Sequence, residues 1–269
     1  MHTSIRPLSA LLVCLTVLAV VGCSGTAWPG TALPAPSEGI SSSPRAATAS
    51  LTPSITPPAV TPTPLSASNA PVLGCPTNSI LRPNDTYAEQ IPDVDGDGLP
   101  DAQWYAETSP FSYGITTASG ATFSLPDGLP GPNRHSGWSA RLADGVVVTV
   151  LDDSRGAALH AIVDCSFVTP LDVTGSPYEF DMQNLRGNGT GVGCRQGASG
   201  VELVGLQTTE RGDGLFDVVA TRILVSVDGL TAVNGERTST RGLLPDDLIL
   251  LEANTSSCAA IPVAQTSGR

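Results

Sequence analysis

The chain has no lysine: all thirteen of its basic residues are arginine. A Walker-type phosphate loop needs a lysine to reach the nucleotide phosphates. The glycine-rich run Gly187-Asn188-Gly189-Thr190-Gly191 lacks one, has no helical pattern behind it, and reads as a flexible loop. Basic charge is scarce altogether. Between residues 71 and 260 ten arginines face 24 carboxylates, a net of −14. That balance argues against nucleic acid or anionic lipid as a partner of this segment and favours cations. Past the first 22 residues only two histidines remain, His135 and His160. Ser136 stands beside the first, but no G-x-S-x-G surrounds it, so the nucleophile elbow of an α/β-hydrolase is excluded. No two of Cys75, Cys165, Cys194 and Cys258 lie at C-x-x-C spacing, which sets zinc aside.

Only one long apolar run is present. Met1–Pro7 carries Arg6 and no acid, Leu8–Val21 is uninterrupted apolar and small, and Gly22 then precedes Cys23. This is the order of a secretory signal, too short to span a bilayer. Val20-Val21-Gly22-Cys23 resembles the bacterial lipobox. The resemblance implies that residues 1–22 are removed, that Cys23 is lipidated as the new N-terminus, and that the protein is held on the outer face of the cell membrane. More than one acyl chain is needed for stable anchoring. The arginine-only, Ala/Gly/Pro/Val-rich composition is of the high-GC, actinobacterial type.

Of the 47 residues from 24 to 70, 34 are Pro, Ser, Thr or Ala, and only Glu38 and Arg45 are charged. Such a segment buries too little apolar surface to offset its ordering entropy, so 23–70 is expected to be a disordered, lipid-anchored tether. In polyproline II form at ~3.1 Å per residue it would reach on the order of 145 Å. Residues 71–262 are the size of one domain and 263–269 are expected to be a disordered tail. Four cysteines remain in an oxidising compartment and allow three pairings. The expectation is Cys75–Cys258, closing the ends of the domain, with Cys165–Cys194 clasping its middle.

Short Val/Ile/Thr-rich runs bounded by Gly, Pro, Asp and Asn read as strands. They fall at 102–108, 111–117, 121–125, 138–142, 146–151, 157–163, 178–182, 201–208, 216–227 (long enough to bend) and 248–252. Asp228-Gly229 and Asn234-Gly235 signal tight turns. The fold class is all-β, a sandwich or a partial propeller-like domain.

The segment Asp93-Val94-Asp95-Gly96-Asp97-Gly98-Leu99-Pro100-Asp101 carries the most specific chemistry. Alternating carboxylates on a tight loop supply the oxygens that calcium needs, and Gly98 permits the turn that points the Leu99 carbonyl inward. Asp93, Asp95, Asp97, Asp101 and the Leu99 carbonyl are the expected ligands of one Ca²⁺. Trp104 stands where a full EF-hand has its bidentate glutamate. The loop and the strand after it are similar to the calcium loops of the FG-GAP and VCBS repeat families, and more distantly to thrombospondin type 3 repeats. The resemblance covers residues 91–125 and implies β-rich structure and roles in adhesion or recognition. Aligning Glu202 with Asp101 puts Cys194, Gln196, Ala198 and Ser199 at the other loop positions, which predicts no second metal of this type.

Other constellations are weaker. His160 reads as an outward strand residue, His135 as a loop residue near a binding site, and Asp152-Asp153-Ser154-Arg155-Gly156 as a hairpin turn. Arg211-Gly212-Asp213 reads as a β-turn. The leading expectation is a cell-surface lipoprotein with a calcium-stabilised binding or structural module, no catalytic residues, and a cell-wall glycan or a protein as ligand. One rival is a secreted polysaccharide hydrolase using carboxylates among Asp101, Glu107, Asp152 and Asp153. The other is a small-molecule or lipid carrier with a large apolar cavity.

Overall fold

The computed structural model describes residues 74–107, 110–131 and 134–266. The signal sequence, the lipobox Cys23 and the 24–70 tether lie outside the described residues. No helix among the described residues is long and apolar enough to cross a membrane.

The first sheet is an antiparallel meander of β1 (Tyr87–Ile91), β2 (Asp101–Ala106), β3 (Ser112–Thr116) and β4 (Thr122–Pro126). Then come β5 (Ser136–Arg141), β6 (Val147–Asp152), β7 (Gly156–Val163), β8 (Ser166–Val168) and β9 (Glu179–Asp181). After them follow β10 (Gly191–Gly197), β11 (Gly200–Glu210), β12 (Phe216–Val225), β13 (Ala232–Leu243), α1 (Leu248–Glu252), β14 (Ser256–Ser257) and β15 (Ala264–Gln265). The second sheet runs β15-β5-β6-β7-β8, with β9 also pairing to β7. The third runs β13-β12-β11-β10-β14. The protein is all-β, with antiparallel sheets and no closed barrel among the described residues, as a sandwich requires.

The second sheet is the middle layer. Every residue of β6, Val-Val-Thr-Val-Leu-Asp, is buried. Alternate residues point to opposite faces. Val147 and Leu151 therefore pack with Tyr105, Tyr113 and Ile115 of the first sheet. Val148 and Val150 pack with Val192, Leu203 and Ile223 of the third. A continuous apolar run without alternation is what a strand covered on both faces needs.

Several elements depart from the sequence expectations. Residues 248–252 form a helix rather than a strand. The Asp247 side chain caps it by accepting the Ile249 N–H at 2.9 Å, and a short Leu/Ile run carries no period that tells helix from strand. Asn234-Gly235 is not a turn but lies at a register irregularity inside β13, opposite 221–223 of β12. Asp228-Gly229 is the turn, with Gly229 at φ +70 donating to the Ser226 carbonyl. Gly191, expected in a loop, opens β10. Here a Cβ on Gly191 or Gly193 would come within 2.6–2.8 Å of carbonyl oxygens in the 253–257 segment. The glycines admit the parallel strand β14. The tail expected from 263 instead holds β15 against β5 through Ala264 and Gln265, and the Thr266 N–H still donates to the His135 carbonyl.

The four domain cysteines form two disulfides, but the expected pairing is corrected: the bonds are Cys75–Cys165 and Cys194–Cys258. Cys165 occupies the two-residue turn between β7 and β8 and shares the first–second sheet core with Cys75. Pairing of Gly193 with Ser257 sets Cys194 beside Cys258 in the other core. Each disulfide thus belongs to one inter-sheet layer, and neither joins the two ends of the domain.

Candidate metal centre

The acidic loop links β1 to β2, and its carboxylates organise the backbone around it. Asp93 accepts the Gly96 and Gly98 N–H groups at 2.5 and 3.0 Å, and both glycines turn with φ +85. Asp95 accepts the Asp97 N–H at 3.2 Å through Oδ1 and the Cys75 N–H at 2.8 Å through Oδ2. Asp101, buried at the start of β2, accepts Val94 N–H at 2.7 Å and Ala118 N–H at 2.8 Å, one on each oxygen. It thereby ties the loop to the turn between β3 and β4. Ser119 of that turn donates to the Cys75 carbonyl at 2.6 Å. Arg141, ending β5, donates to the Asp93 carbonyl at 3.2 Å and stands 3.8 Å from its carboxylate.

Asp93, Asp95 and Asp101 each bring an oxygen to within 4.8 Å of the others. Asp97 stands outside that group, accepting the Leu99 N–H at 2.7 Å, and Leu99 is exposed. Burial pushes the Asp101 carboxyl above its usual range; its two backbone hydrogen bonds oppose this, and the charges of Asp95 and Asp97 add to it. An acid with a raised folded pKa costs the fold stability as pH rises through that value. A bound cation would offset that cost. The Cys75, Ala118 and Arg141 contacts were not legible in the sequence. They lie 17 or more positions away from their aspartate partners, and no local motif announces them.

The other expected residues serve different ends. Asp153 Oδ1 accepts the Arg155 and Gly156 N–H groups and Asp152 accepts that of Ser154, which makes the expected hairpin turn between β6 and β7. Burial, then the charge of Asp153, raises Asp152 to about 6. His135 is buried, with Nδ1 2.5 Å from Asp127 and Nε2 2.9 Å from the Gly131 carbonyl. Both ring nitrogens are engaged, so neither serves Ser136. Tyr105 donates to the same Asp127 oxygen. Arg211-Gly212-Asp213 is a turn joining β11 and β12, closed by Gly214 N–H to the Arg211 carbonyl at 3.1 Å. Glu202 pairs with Arg195 and Arg222 at 2.9 and 3.2 Å.

His160 is buried rather than outward, because the first sheet covers that face of β7. Its Nδ1 lies 3.1 Å from the Thr169 hydroxyl, and burial lowers its pKa to about 4. An unfolded histidine titrates near ~6.5. The folded value is depressed, so the contribution of neutral His160 is complete above ~6.5 and is lost as pH falls to about 4, roughly 3 kcal/mol in all. Asp152, raised to about 6, works in the opposite sense over much of the same range. The test is therefore a difference. The stability of wild type minus that of His160→Gln should fall steadily between pH 6.5 and 4 in urea titrations; a difference independent of pH would contradict a buried neutral imidazole.

Comparison with known proteins finds no match: no family model, no curated protein and no solved structure resembles this chain. The likeness to FG-GAP and VCBS calcium loops rests on the loop residues and the strand after them alone.

Proposed function

We propose that the protein is an exported lipoprotein whose β domain is a calcium-braced binding or structural module acting without catalysis. The observation that carries this reading is the convergence of Asp93, Asp95 and Asp101 to within 4.8 Å. Three carboxylates at such separation repel unless a cation neutralises them. Calcium takes six to eight oxygens, and Asp97, the Leu99 carbonyl and water are the remaining ligands proposed. Extracellular calcium modules work at ~10⁻⁴–10⁻³ M, the concentration an exported domain meets.

Free calcium at about 100 times its dissociation constant should stabilise the fold by about 2.7 kcal/mol. Thermal unfolding with EDTA, with calcium and with magnesium should therefore give a higher Tm in calcium alone, since magnesium dehydrates reluctantly. Asp93→Asn should erase the difference. Three coincident curves would reduce the loop to a plain acidic turn. For the anchor, Cys23→Ser should abolish labelling by a fatty-acid analogue and release the chain from the membrane; equal labelling of both forms would end the lipobox reading.

A further inference from the structure

The inner face of β1 changes character over five residues. Ile91 is buried in the core between the first and second sheets, Glu89 is half-buried, and Tyr87 is 85% exposed. Alternate strand residues share a face, so the core-facing side of this sheet runs out into solvent as Glu89 and Tyr87. The reason lies opposite: at this end the second sheet stops at β15, only two residues long. Between the two edges lies a cleft of about 760 Å³, within the roughly 300–1,000 Å³ typical of ligand sites.

Its walls carry Asp85, Tyr87, Glu89, Tyr105, Glu107, Arg134 and Gln265. Tyr87 stands directly across from Tyr105 in the β1–β2 register, so both rings lie on the cleft side. Tyr105 is fixed from behind by its hydrogen bond to Asp127, which His135 holds in turn. Arg134 is steadied by one bond to Gln265 at 2.9 Å, and a guanidinium has four further donors.

This set selects a chemistry. Asp85, Glu89 and Glu107 together repel anions, and Asp85 and Glu89 accept hydrogen bonds; Arg134 donates hydrogen bonds that an ammonium cation has no acceptor to take up. A purely apolar molecule would strip water from these charges without replacing their hydrogen bonds. A neutral polyhydroxylated ring supplies donors to the carboxylates, acceptors to the guanidinium and a C–H face to the Tyr87 ring. We propose that the cleft between β1 and β15 binds a neutral saccharide unit, stacked on Tyr87 and hydrogen-bonded by Asp85, Glu89 and Arg134. The proposal rests on the binding-module reading for its meaning, but the cleft is built apart from the acidic loop.

The experiment is calorimetric titration of the calcium-loaded full chain with tetra-N-acetylchitotetraose, cellohexaose and maltohexaose, with spermine as a cationic control. At least one glycan should bind at millimolar affinity or better, and Tyr87→Ala should weaken it about tenfold or more at unchanged Tm, since that side chain is exposed. Glu89→Gln should weaken it too. Asp93→Asn should lose the calcium response and keep the glycan, so the two readings fail separately. Absence of binding by all three glycans, binding indifferent to Tyr87→Ala, or binding of spermine alone would each overturn the proposal.

Discussion

Replacing Cys75 and Cys165 together by alanine should lower the unfolding free energy by about 4–5 kcal/mol, and replacing Cys194 and Cys258 by about 4 kcal/mol. The two bonds close loops with sequence separations of 90 and 64, and in the chain-entropy account the longer loop restricts the unfolded chain more. Against a typical total of about 5–15 kcal/mol, either loss is large. The consequences should also differ in kind. Cys75 donates its N–H to Asp95, so opening the first bond should weaken the calcium response as well as the fold. Opening the second, which lies in the other core, should leave that response in place. Peptide mapping without reduction should recover Cys75–Cys165 and Cys194–Cys258. A Cys75–Cys258 peptide would overturn the arrangement of the sheets at both ends of the domain.

Asp101→Ala should be the most damaging change in the acidic loop, with or without calcium. Both of its oxygens accept backbone N–H groups, from Val94 and Ala118. A buried N–H left without a partner costs about 1–3 kcal/mol, so two cost roughly 2–6 kcal/mol. Asp93→Asn loses one of the two oxygens that accept the Gly96 and Gly98 N–H groups, but these lie in a part-buried to exposed loop where water can replace it. It also removes a repelling charge, so without metal it should cost less than Asp101→Ala. Urea unfolding of both variants in EDTA separates the roles. If Asp101→Ala is no weaker than Asp93→Asn there, the carboxylate is not the clamp between the loop and the β3–β4 turn. If the variants differ as expected, Asp101 has a structural role that any metal function adds to.

Much of the fold was legible because its signals are local. The Val-Val-Thr-Val-Leu run of β6 reads as a strand without knowledge of its neighbours, since β-branched residues fit a pleated surface. The tight, carboxylate-bearing form of the acidic loop reads from nine consecutive residues, and the tight turn at Asp228-Gly229 from two. Composition alone, short of lysine and dense in carboxylates, set the sign of the surface charge.

Where assignment depended on residues distant in sequence, the local signals failed. β10 was missed because its glycines look like loop, and only the approach of β14 explains why a side chain is excluded there. β13 was missed because most of its residues are exposed and carry no apolar alternation; the pairing to β12 holds it. β15 is two residues long and exists through its register with Gly137 and Ser136. The cysteine pairing followed the same rule. Four thiols admit three connectivities, and which two meet depends on how the sheets stack, a property of no single segment. By itself the sequence determined the all-β class, the charge and the acidic loop, because propensity, turn chemistry and carboxylate spacing act over a few residues. The tertiary structure alone decided the three-layer order, the disulfide partners, the burial of His135 and His160, and the cleft beside Tyr87, because each arises where strands far apart in the chain are packed face to face.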